Sequence, residues 1–200
     1  MNCRGHNNRV NIVNNYDITP LAHLRVLGGM VVHSDAGGDI TDSYFLFRCI
    51  HKETKQEKII CCGEPTAKDF SLLLHTDLPR IFNPLIDEGY EGGGNHGGGG
   101  KIRWNRTRKQ LYNAVMLFIM WLGNKPHRVL FSIKTELERD TQSAPPLSKI
   151  KAVNTLYTQY HTTARSIIND LEKENRLKDF RFDLLLKELE RCHIEQHFEN

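Results

Sequence analysis

Seven of the ten residues from Glu91 to Gly100 are glycine, and the hydrophobic pattern of the chain changes period across that tract. Glycine has the most backbone entropy to lose on folding and no side chain to bury, so such a tract is expected to be a flexible connector. Before it, β-branched and aromatic residues gather in short runs; after it, apolar residues recur with the helical period. A chain organised in this way is expected to segregate strands from helices, which is the α+β pattern. The expected boundaries are a small antiparallel β-sheet plus helix region over 1–88, a Gly-rich linker or loop over 89–101 and a helical bundle over 102–200. One continuous domain carrying a long surface loop fits the same pattern.

In the first half, the runs 24–33, 43–51 and 58–62 are expected strands, separated by Ser34-Asp35-Ala36-Gly37-Gly38-Asp39 and by Lys52-Glu53-Thr54-Lys55-Gln56-Glu57. Both separators are short and polar, so a three-stranded antiparallel meander follows. A helix opens at Glu64-Pro65, where proline suits the first turn and an acid complements the dipole, and Phe70, Leu72, Leu73 and Leu74 are expected to face the sheet. Pro79 and Pro84 prevent its continuation.

In the second half, about four helices are expected: 105–122, 126–139, a long third helix and 179–197. The third carries Ile150, Val153, Leu156, Tyr157, Tyr160, Ala164, Ile167, Ile168 and Leu171 on one stripe, and Asn175 marks the break before the fourth. The longest apolar run, 111–122, contains Asn113 and falls short of the roughly 20 residues that cross a bilayer, so it reads as a core helix and no membrane association is expected.

A composition of 39% hydrophobic and 26% charged residues in 200 positions excludes wholesale disorder. The five cysteines, Cys3, Cys49, Cys61, Cys62 and Cys192, lack the spacing of a disulfide scaffold, and the first residues contain no apolar run of the secretory kind. A cytoplasmic setting with free thiols is the expectation. Charge is uneven: residues 101–151 hold 11 Lys and Arg against 3 acids, a net +8, whereas residues 152–200 hold 7 against 9, a net −2. Such clustering points to a basic patch.

The densest part of that patch is Lys101, Arg103, Trp104, Arg106, Arg108 and Lys109. Cations neutralise phosphates and an indole stacks on an unpaired base, so the combination suits single-stranded nucleic acid, and the same cations fit an acidic protein face. A solvated helix start whose tryptophan anchors the bundle is the plainer alternative.

A second constellation, Cys49, His51, Cys61 and Cys62, supplies soft metal ligands if a hairpin turning near Lys55 and Gln56 sets Cys49 opposite Cys62. Adjacent Cys61 and Cys62 point to opposite faces of a strand, however, so apolar packing is the simpler role. No metal or cofactor is expected.

The third, Arg191 and His197 near the C-terminal end, has five residues between its members. That spacing resembles the Arg-x4–6-His signature of the HEPN ribonucleases, all-α proteins in which the pair lines a shared dimer cleft and the histidine acts on the 2′-hydroxyl. The resemblance implies a metal-independent ribonuclease working as a homodimer, with Arg191 on phosphate and His197 in proton transfer. It covers seven residues, and an arginine and a histidine at such spacing recur by chance in a chain with 14 arginines and 10 histidines.

Phosphate-loop, nucleophile-elbow and zinc-helix motifs do not occur in the sequence. The expected function is therefore that of a non-catalytic binding or regulatory protein acting through macromolecular contacts, with a protein or a single-stranded nucleic acid as partner.

Overall fold

The computed structural model describes residues 1–86, 103–123 and 128–198. It is a mixed α+β protein with two compact units, Met1–Asn83 and Pro84–Asn200. The expected linker 89–101 lies outside the described residues.

The first unit holds helix α1 (His6–Asn15), strands β1 (Tyr16–Arg25), β2 (Val32–His33), β3 (Asp39–Ile40), β4 (Ser43–His51) and β5 (Glu57–Cys62), helix α2 (Glu64–Leu74) and strand β6 (Ile81–Phe82). The main sheet has the order β5-β4-β1-β6, with β1, β4 and β5 antiparallel and β6 joined parallel to β1; β2 and β3 form a separate hairpin. This corrects the three-stranded meander. The first long strand is β1, earlier than the expected run 24–33, and it contains Pro20, which ordinarily argues against a strand. Pro20 is tolerated because the register with β4 shifts between Pro20 and Ala22, while β6 pairs only with His23 and Leu24 and so, among the described residues, leaves that stretch of β1 without a second neighbour.

One face of the sheet presents Phe45, Phe47, Cys49, Ile60 and Cys62, which pack with Cys3, with Ile12 of α1 and with Ala67 and Phe70 of α2. The two helices are tied by Asp69, which pairs with Arg9 and, at 3.0 Å, with His6. Leu72 points away from the sheet at 73% exposure, because α2 buries the Thr66, Ala67 and Phe70 face.

The second unit contains α3 (Arg106–Leu122), α4 (Arg128–Arg139), α5 (Leu147–Gln159), α6 (Ala164–Glu172) and α7 (Asp183–Glu190). Helix α3 is buried on nearly all sides, from Leu111 through Met120, and Phe118 stacks on Tyr157 of α5 at 4.8 Å. The expected long third helix is two helices. His161 adopts φ 49°, and the Thr163 hydroxyl accepts from the Ser166 amide at 3.0 Å, so an N-cap restarts the chain as α6 despite the continuous apolar stripe. The fourth helix is shorter than 179–197. It starts late because Lys178 is held in an extended segment, its amide donating to the Pro84 carbonyl, and Gln110 of α3 then accepts from the Leu184 amide at 2.9 Å. It ends early because His193 turns left-handed at φ 52° and the Ile194 amide closes on the Leu189 carbonyl.

Candidate functional site

The basic segment enters α3 through a fixed turn. The Asn105 side chain caps the helix by accepting from the Arg108 amide at 3.1 Å, and the Asn105 amide donates to the Thr141 carbonyl at 2.8 Å. The Thr141 hydroxyl returns a bond to the Arg103 carbonyl at 3.2 Å. Helical geometry then sorts the cations. Arg106 is exposed on the first turn and Arg103 just before it, and among the described residues no carboxylate pairs with either. Arg108 faces inward at 4% exposure. Its guanidinium donates to the carbonyls of Ser143 at 2.7 Å and of Glu136, Leu137 and Ala144 at 3.3 Å, which satisfies the end of α4 and the loop after it. Arg108, expected on the binding surface, is therefore an internal cap.

Trp104 and Lys109 are half-buried. The two rings of Trp104 and Tyr112 lie 4.9 Å apart, and the Lys109 ammonium sits 5.1 Å from one centroid and 4.7 Å from the other. Burial, with the Lys178 cation adding to it, holds the Lys109 amine below its ordinary range. Tyr112 completes the group by donating to Glu138, which also receives Lys134 at 2.7 Å. Lys101 lies outside the described residues.

The cysteine constellation separates on folding. The hairpin turns at Glu53 and Thr54, so Cys49 pairs with Lys58 and Cys62 with Phe45; the expected juxtaposition of Cys49 with Cys62 does not form. His51 is at the turn, where its Nδ1 accepts from the Glu53 and Thr54 amides and its ring meets Tyr16 edge-on. Burial, reinforced by Asp35, pushes the Cys3 thiol up to about 11 and those of Cys49 and Cys61 up to about 12, and burial raises Cys62 too. Burial that disfavours the thiolate works against nucleophilic attack and metal binding at these cysteines. Among the described residues no group of three His, Cys, Asp or Glu side chains is placed to hold a metal ion.

Arg191 and His197 both lie beyond the end of α7. Arg191 is 76% exposed and pairs with Glu188 at 3.4 Å. His197 belongs to an extended end that is firmly held: its amide donates to Asn154 at 2.8 Å, its carbonyl accepts from Ala164 at 3.0 Å, and the next residue, Phe198, is fully buried. No hydrogen bond joins the arginine to the histidine among the described residues.

The sheet also brings together two residues that the sequence analysis passed over. His23 on β1 and Ser43 on β4 are 20 positions apart, and antiparallel pairing places the imidazole Nε2 2.9 Å from the serine hydroxyl. His23 stacks on Phe45 at 3.8 Å. Ser43 also lines a cleft of about 380 Å³ with Ser34, Gly37, Thr41, Gly63 and Thr66. Placement of β1 is the signal required, since His23 then lies opposite Phe45 and Arg25 opposite Ser43, which puts His23 and Ser43 diagonally on one face of the strand pair.

Over residues 1–199 the chain matches the family described as uncharacterised conserved protein UCP028583, and it belongs to that family. No curated protein and no solved structure matches it. Among the described residues no helix is long and apolar enough to cross a membrane.

Proposed function

We propose that this chain is a binding or regulatory protein that works through macromolecular contacts, and that the turn leading into α3 is its contact with an anionic partner. The observation that carries this reading is the exposure of Arg103 and Arg106, without carboxylate partners among the described residues, on a turn fixed by Asn105 and Thr141. Two guanidinium groups on a rigid support lose little entropy when they meet phosphates or carboxylates, and each offers a planar fork of donors. Trp104 and Lys109 border the same turn, already packed together, and extend the surface with an aromatic edge and a third cation.

A single-stranded nucleic acid and an acidic protein face are the two partner classes with the required charge. A labelled single-stranded oligonucleotide, titrated at several salt concentrations against wild type and the Arg103→Gln, Arg106→Gln double variant, tests the reading. Loss of two phosphate contacts should weaken binding and lower the slope of log K against log salt by about 1.4. An unchanged slope in the variant removes this turn from nucleic-acid binding. If wild type itself ignores the oligonucleotide, an acidic protein captured by wild type and lost with the variant sustains the reading.

A further inference from the structure

We propose that Ser43 and His23 are the nucleophile and general base of a hydrolytic site for small neutral esters, seated in the cleft at the start of α2. This activity belongs to the sheet unit and is independent of the basic turn of the helical unit.

The proposed role takes His23 as the neutral imidazole with its proton on Nδ1; the main chain of Pro79, which has only a carbonyl to offer, lies near the ring and favours its protonated form. With Nδ1 as donor, Nε2 is left as an acceptor, and the Ser43 hydroxyl 2.9 Å away donates to it. Stacking on Phe45 holds the ring plane. A nucleophile bonded to a base, with the base oriented by a third group, is the arrangement that activates a serine, and the stacked Phe45 ring fills the orienting role here.

The cleft supplies the rest. Helix α2 starts at Gly63 without a side-chain cap; among the described residues the amides of Glu64 and Thr66 have no acceptor, and Pro65 between them has no N–H. Both residues line the cleft with Ser43, so their amides are available to a developing oxyanion. Gly37 and Gly38, at φ 96° and 79°, turn the opposite wall tightly. The carboxylates on the rim, Asp39, Asp42 and Glu64, are each paired, with His33, Arg25 and Lys68, and among the described residues the lining holds no Lys or Arg to receive an anionic substrate, which is why the site is assigned to neutral esters.

In the reaction, the Ser43 Oγ bonds to the ester carbonyl carbon while its proton passes to His23 Nε2. The carbon–oxygen bond to the leaving group then breaks, and the alcohol departs with the His23 proton. Water next attacks the acyl-serine, giving a proton to His23. The carbon–Oγ bond breaks, the proton returns to Oγ, and the acid leaves. Ester and water become acid and alcohol with no other reactant.

Release of nitrophenol from p-nitrophenyl acetate, together with mass spectrometry after a fluorophosphonate label that bonds to serine with loss of fluoride, tests the site. Wild type should hydrolyse the ester above the buffer rate and carry the label on Ser43. Ser43→Ala should fall to the buffer rate and lose the label, and His23→Gln should lose about 100-fold or more in rate. Burial lowers the His23 pKa, so the acid limb of the pH profile should have its midpoint below the ordinary 6.5. Circular dichroism establishes that the variants are folded. Wild-type hydrolysis at the buffer rate, an unchanged rate in folded Ser43→Ala, or a label located elsewhere would each overturn the proposal.

Discussion

Arg106 and Arg108 stand two positions apart on α3, and folding sends the first to solvent and the second beneath the end of α4. In the sheet unit, His23 and Ser43 are 20 positions apart, and the register of β1 with β4 brings them to hydrogen-bond distance. In the helical unit residue types cluster along the chain and helical phase then divides them. The sheet unit assembles its chemistry from strands whose pairing is not local. A charge cluster in sequence is therefore not yet a charge cluster in space, whereas a strand pair can create a site of which the sequence shows no cluster.

The largest effect should come from exchanging the two arginines for alanine separately. Arg108→Ala leaves four carbonyls without their charged donor and opens a cavity, so unfolding in urea should show a loss of about 3–5 kcal/mol. Arg106→Ala should stay within about 0.5 kcal/mol, as expected at an exposed position. Equal losses would mean that helical phase does not separate the two.

The cysteines sharpen the comparison from the sheet side. Cys3, Cys49, Cys61 and Cys62 are buried and their thiols titrate well above neutrality, while Cys192 is half-buried. A disulfide reagent at neutral pH should modify Cys192 alone in the native protein and all five after unfolding. The Cys62→Ser variant should lose about 1–3 kcal/mol, the cost of burying a hydroxyl without a partner. Rapid native modification of Cys49 or Cys62 would contradict their place in the core.

Much of the architecture is legible because it rests on local signals. The strand Ser43–His51, the start of α2 at Glu64 and the span of α3 follow from β-branched runs, a proline in a first turn and an Asn cap. Helix α1 is illegible for the opposite reason: its sequence is rich in asparagine and lacks a side-chain cap, and it is held by Ile12 in the core and by the Arg9–Asp69 pair. Strand β1 is hidden by Pro20, whose cost depends on a neighbouring strand that pairs with only two of its residues. The apolar stripe passes from Tyr157 and Tyr160 to Ala164 and Ile167 across the break, and only the competition between stripe and cap decides for two helices. At the candidate sites, residue type is legible, but burial and register are not: Arg108 becomes a cap, the cysteines become core, and the His23–Ser43 pair arises from the sheet.

The central claim is that the helical unit binds an anionic macromolecule without cutting it. Incubation of a labelled single-stranded RNA in excess EDTA, followed by native and denaturing electrophoresis, tests both halves of that claim with wild type and His197→Ala. The account predicts RNA recovered at full length with either protein, and retarded at low salt where nucleic acid rather than an acidic protein is the partner. Shortened RNA with wild type that returns to full length with His197→Ala would contradict it and assign the activity to the Arg191 and His197 pair.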